Sequence, residues 1–406
     1  MRFLGGALLL SCVLGAVGCG SNSGSGNTPM SPTSPTQPAV AVATPTCPGV
    51  VQKGVASWSG TPWYQCSTTV SNATNTAVTW SSGQTGLLTV DSSTGALTPL
   101  ARGKATITAT SVADPTKSAS VTVDVVDRVL AGKFEPLAWL PGQSGSLLWF
   151  FETDGSNAER LLNTRECWFP AISPDHRHVA CMTYPLPTET YNGTELIVVT
   201  TDGTPTGTTA SSPLTNIRGV EYPAWSPDGK KVAFVGWQND PATPGNTSVG
   251  VFTINADGTG LVQLTSESFA GNTIRIPGSA SFSPDGKSIA YGVDADDYIR
   301  IMNSDGSNIV VLPMEGYNPA FTLDGKKILF LNATLSEIES MNLGGSNPVA
   351  VINYPESFYI AISPDGSEIA YEEGLGTIAS TIYIADIDGS SPTLVSGSTG
   401  AYGLGW

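Results

Sequence analysis

Apart from one apolar run near the N-terminus, hydrophobic residues fall in short blocks bounded by turn-forming residues. In residues 47–126 the blocks alternate with period two. The blocks are Val78-Thr79-Trp80, Leu88-Thr89-Val90, Ala96-Leu97-Thr98, Gly103 to Ala109 and Ser118 to Val123, and in the last two the β-branched residues alternate faces. That alternation predicts strands with one buried face, as a two-sheet sandwich requires. From residue 128 the pattern changes to short continuous runs: Val232-Ala233-Phe234, Ile289-Ala290-Tyr291, Ile328-Leu329-Phe330 and Ile369-Ala370-Tyr371. Such runs suit strands covered on both sides. The fold class read from both patterns is all-β.

Two turn motifs punctuate the second region. Ser-Pro-Asp-Gly occurs at Ser226–Gly229, Ser283–Gly286 and Ser363–Gly366, with variants at Ser173–His176 and Thr322–Gly325. Asp-Gly followed by Ser or Thr occurs at Asp154, Asp202, Asp257, Asp305 and Asp388, and Gly344-Gly345 takes the remaining place. Pro presets the turn, Asp bonds back to the backbone and Gly takes the left-handed position. The two motifs alternate without exception, and successive copies of the second lie 39 to 55 residues apart. Two hairpins per period mean four strands per unit, which is a propeller blade. Six such positions predict six blades over 128–406. The first strands are expected around Leu137 to Leu140 and Leu147 to Phe151. Ala401–Trp406 aligns with the strand that precedes Ser-Pro-Asp-Gly, so it is expected to close the ring as the innermost strand of the first blade.

Pro223 to Phe234, PAWSPDGKKVAF, resembles the propeller repeat of TolB and its relatives. Likewise VTWSS, LTVD, GALT, GKATITAT and ASVTV within 47–126 resemble a bacterial Ig-like domain of the second group. The resemblance implies a small sandwich ahead of a TolB-like (WD40-like) propeller. The small α/β domain of TolB has no counterpart here, so a role in the Tol–Pal system does not carry over. Ig-like domains of this group act as spacers or adhesive modules.

The apolar run Phe3 to Val17 is too short to span a bilayer and ends in Ala16-Val17-Gly18-Cys19, which resembles a bacterial lipobox. That resemblance implies a signal peptide over 1–18 and lipid on Cys19; Leu9 to Cys12 fits locally but would leave too short an apolar core. Gly20 in place of Asp points to the outer membrane. Residues 19–46, rich in Ser, Gly, Thr and Pro, are expected to be a disordered tether. Four cysteines remain. Cys47 and Cys66 share the small domain, and Cys167 and Cys181 flank the turn at Pro174, so two disulfides are expected in an oxidising envelope. The spacing does not suit a metal site.

The chain has 34 acidic and 18 basic residues and a net charge of −16. That charge argues against nucleic acid as a partner. Catalytic signals are sparse. His176 and His178 are the two histidines, both at one turn, where an exposed His is commonplace. No G-x-S-x-G elbow accompanies them. Asp294, Asp296 and Asp297 lack a calcium-loop spacing and read as a solvated loop. No cofactor, metal or catalytic residue is assigned. Candidate binding residues lie in the loops entering the innermost strands: Arg165, Glu166, Trp168, Arg218, Glu221, Tyr222, Arg275, Tyr317, Asn318, Glu356 and Tyr359. Aromatic and Arg residues in a ring can anchor a partner. The expected function is a monomeric, non-catalytic envelope lipoprotein whose propeller binds a protein, peptide or glycan. The alternatives are a hydrolase or lyase on a propeller scaffold, and an adhesin acting through the Ig-like module.

Overall fold

A computed structural model describes residues 38–406, except 55–56, 59–60, 63, 137–143, 162–165, 185–193, 202–204, 210–216, 240–246, 270–278, 293–296, 335–336, 354–358 and 375–379. Cys12, Cys19 and residues 1–37 of the expected leader and tether lie outside the described residues, as do Leu137 to Leu140. All regular elements described are strands.

The N-terminal module is a sandwich built on a four-stranded sheet, in the order Val50–Gln52, Ser118–Val126, Gly103–Ser111 and Val78–Ser82. Leu88–Val90 pairs with Leu97–Pro99. Period-two alternation sends Ala105, Ile107, Ala109, Val123 and Val125 inward, where they meet Trp80, Leu88, Leu97 and Tyr64. Cys47 and Cys66 are joined. The structure corrects the tether boundary. Ala41–Val42 pairs with Val70–Ser71, and Thr46 bridges Ser67. Val42 packs on the core, so an apolar face and the disulfide order this segment despite its loop-like composition.

Beyond it, the described strands form six antiparallel blades, numbered I to VI along the chain, each with strands a to d from the axis outward; in blade III the short strand Glu267–Phe269 also pairs with strand c. In blade I, Ala401–Gly405 is strand a, followed outward by Arg128–Pro136, Ser144–Glu152 and Glu159–Arg160. The first strand of this region is therefore Arg128–Pro136, one residue after the sandwich ends. One 12-residue strand, Val310–Phe321, serves two blades. Its start pairs with Tyr298–Asn303 of blade IV, and its end becomes strand a of blade V.

The continuous apolar runs fill six separate cores, one between each pair of adjacent blades. Phe234 and Phe252 of blade III meet Leu196 and Val198 of blade II. Leu329 and Leu331 of blade V meet Ile369 and Tyr371 of blade VI. The sixth core joins the first and last blades of the ring: Val129, Ala131, Phe151 and Trp406 of blade I pack on Ala370, Ile382 and Ile384 of blade VI.

The turn motifs work as small hydrogen-bonded units. In Ser-Pro-Asp-Gly the serine hydroxyl donates to the Asp carboxylate, at 2.7 Å for Ser226 and Asp228. The same hydroxyl accepts from the backbone N–H five residues on, at 2.9 Å from Lys231. The carboxylate accepts from the Lys230 N–H. Ser173, Ser283, Thr322 and Ser363 repeat the arrangement. In the second motif, Asp257, Asp305 and Asp388 each accept from the N–H and hydroxyl two residues on. Strand alternation puts both kinds of turn at one end of the ring and the longer b–c and d–a connections at the other.

Candidate functional site

Strand a of each blade lines the axis. In blades II, III and V it is broken by a bulge, with register shifts between Trp168 and Ala171, Glu221 and Ala224, and Tyr317 and Ala320. Each bulge contains a residue in the left-handed region: Phe169 (φ 52°), Tyr222 (φ 48°) and Asn318 (φ 51°). Gly403 (φ 65°) holds the matching place in blade I. A left-handed Phe or Tyr is costly for the backbone and marks a position the surrounding structure over-determines. The bulge re-aims the side chain from the blade interior into the axis.

The result is an aromatic cluster across the channel, toward the end with the longer loops. The Phe169 and Tyr222 rings stack at 4.3 Å between centroids. Tyr359 of blade VI reaches in from across the axis, 5.6 Å from Phe169 and 6.4 Å from Tyr222. Beside the rings lies a cavity of about 330 Å³, lined by strand a from all six blades. Its polar lining includes Ser279, Ser281 and Asn318. Asn318 Oδ1 accepts from the Ser279 N–H at 3.4 Å, linking blades IV and V. Trp225 spans two blades by donating its indole N–H to the Ala171 carbonyl at 3.0 Å. Phenolic hydroxyls, ring faces and a few amides form a lining suited to stacking and hydrogen bonding.

The candidate residues separate. Tyr222, Asn318 and Tyr359 line the channel. Tyr317 does not: its ring packs into the core between blades V and VI, and its hydroxyl donates to Asp297 at 2.7 Å. The bulge turns Asn318, its neighbour, inward instead. Trp168 lies off the channel lining and donates its indole N–H to Glu166 at 2.9 Å. Glu221 is likewise off the lining. Arg218 lies on strand Ile217–Trp225. Arg165, Arg275 and Glu356 lie outside the described residues, as do Asp294 and Asp296. Phe169 was missed by sequence reasoning. It stands four residues before Ser173, as Tyr222 and Tyr359 stand before Ser226 and Ser363, so counting back from the turn motif would have found it.

His176 is not the exposed turn residue its position suggests. It takes the left-handed turn position (φ 55°) and lines a cavity of about 380 Å³ shared with the N-terminal module. Burial pushes its pKa down to about 3, against the pull of Asp175. The His178 N–H donates to Ser173 Oγ, as the turn motif requires. Cys167 and Cys181 are joined and staple the first two strands of blade II. Among the described residues no group of three His, Cys, Asp or Glu side chains is placed to hold a metal. No described helix is long and apolar enough to cross a membrane.

A family profile described as the TolB beta propeller domain matches residues 143–403, and one described as a bacterial Ig-like domain (group 2) matches residues 64–123. Among solved structures, TolB from Acinetobacter baumannii is similar at 16% identity and a TM-score of 0.53, covering 75% of this chain and 80% of that one. A chain of a nidogen/laminin complex is similar at 13% identity and a TM-score of 0.50, covering 68% and 97%. At these identities the likeness is one of fold. No curated protein matches the chain.

Proposed function

Since the chain belongs to the TolB beta propeller domain family, we propose that it is a non-catalytic binding protein of the cell envelope, which captures a peptide segment of a protein partner at the aromatic end of its channel. The observation that carries this reading is the convergence of Phe169, Tyr222 and Tyr359 on one channel. Clustered aromatic side chains at the centre of a concave surface are the usual energetic anchors of protein interfaces. The cavity of about 330 Å³ is of a size for one or two side chains rather than a folded domain. The partner's segment would therefore be extended, with its flanks resting on the loop end of the ring.

Two further features support an envelope location. The four described cysteines form two disulfides, which persist in oxidising compartments. The residues before Cys19 resemble a lipobox, so we propose that lipid on Cys19 anchors the chain at the outer membrane.

The test is affinity capture from an envelope extract with the full exported chain and with a Tyr222→Ala/Tyr359→Ala variant. A protein retained by the first and lost from the second supports the reading. Equal retention by both places the binding surface elsewhere, and retention that survives protease treatment of the extract points to a glycan.

A further inference from the structure

Residues 40–406 form one compact unit, and the N-terminal module touches the propeller at the end carrying the tight turns, where Lys53 and Gly54 meet Asp365. Only Asp127 separates strand Ser118–Val126 of the module from strand Arg128–Pro136 of blade I. Around this joint lie two cationic contacts. Lys53 Nζ stands 3.2 Å from Asp127, 3.6 Å from Glu368 and 3.7 Å from Asp365. Arg102 pairs with Asp154 at 2.6 Å and with buried Glu152 at 3.4 Å. Gln52 exchanges two hydrogen bonds with the Arg128 backbone, both at 3.3 Å. Contact at Gly54 is close enough that a Cβ there would lie 2.9 Å from the Asp365 backbone nitrogen.

These contacts fall on both sides of the ring's closure. Asp127 is the joint that leads into blade I, and Glu152 and Asp154 belong to blade I, whereas Asp365 and Glu368 belong to blade VI. The zipper between them is thin. Ala401–Gly405 has the sequence AYGLG, and its ladder with Arg128–Pro136 shifts register between Ala131 and Gly132. Two glycines in five residues make a weak strand. We infer that the Ig-like module is a clamp on the propeller's closure, with Lys53 as the cation that ties the first strand of the ring to its last blade.

The electrostatics agree with the geometry. Burial alone would lower the Lys53 pKa, but Asp127, Glu368 and Asp365 outweigh it and hold it above its usual value. Without Lys53, three carboxylates would face one another across the seam, and their repulsion would push blade VI away from blade I.

Hydrogen exchange on the full chain, read by mass spectrometry, tests the clamp. Lys53→Met is expected to speed exchange of 128–136 and 401–405 by about tenfold while leaving strand Gly103–Ser111 unchanged. Lys53→Arg keeps the charge and should keep the protection. A Lys53→Met/Glu368→Gln variant, with one repelling carboxylate neutralised, should regain part of it. Lys104→Met breaks only an exposed pair with Asp124 inside the module and is the control. The inference is overturned if Lys53→Met alters only residues near 50–54, if the double variant regains nothing, or if Lys104→Met loosens the seam equally.

Discussion

Trp406 offers the sharpest test of how the ring is held shut. Its side chain is 8% exposed and joins the core shared by blades VI and I, against Val129, Ala131, Phe151, Ile382 and Ile384. A tryptophan buries about 200 Å² of largely apolar surface, worth about 5 kcal/mol at ~25 cal/mol per Å². Truncation keeps the Cβ and allows some collapse, so Trp406→Ala should cost about 3–5 kcal/mol. At about 2 °C per kcal/mol for a chain of this size, the melting temperature should fall by roughly 6–10 °C. The indole N–H has no acceptor among the described residues, so Trp406→Phe loses packing but no hydrogen bond. It should cost about 1–2 kcal/mol. Calorimetry of the oxidised protein provides the comparison. A Trp406→Ala melting temperature within about 2 °C of the parent would refute the reasoning, because a core of this size cannot lose a tryptophan so cheaply.

Other expectations are as direct. Gly389→Ala, at φ 84°, drives a Cβ into the Val351 carbonyl oxygen, so it should destabilise by about 2 kcal/mol or more, seen as a lower urea midpoint. Replacing Cys167 and Cys181 by Ser opens a 14-residue link and should cost about 3 kcal/mol, with reductant then changing the stability of the variant less than that of the parent. Asp154, Asp257, Asp305 and Asp388 have pKa values lowered first by the hydroxyl two residues on and then by its N–H. Their stabilisation is complete above their unfolded pKa of about 4 and is lost as pH falls through the lower folded values. Acidification also relieves the repulsion of the −16 net charge, so the useful measurement is a difference. Asp305→Asn should destabilise at pH 7 and converge on the parent as acid protonates the folded carboxylate; an offset that stays constant with falling pH would contradict the turn's role.

Much of the architecture was legible in the chain because it is written in local chemistry. Ser226, Asp228 and Gly229 make their turn almost entirely from neighbours within five residues, so the motif signals a hairpin wherever it occurs. Alternation of two such hairpins establishes four strands per unit without any long-range information. The apolar runs likewise declare which strands are covered on both faces, and Cys167, just before strand Trp168–Ile172, faces Cys181 on the strand paired with it. The site was less legible. Trp168 and Tyr317 are adjacent to the residues that line the channel, and choosing between neighbours depends on a bulge. That bulge is a compromise between strand pairing and packing around the axis, which no single blade contains. The order of residues 41–46 and the partial burial of His176 also depend on distant partners, namely 67–71 for the first and the docked module for the second. Sequence alone thus determined the repeating unit, since its turns close within a few residues. Tertiary structure decided what the ring encloses and what holds it closed, since those contacts join residues as far apart as Lys53 and Glu368.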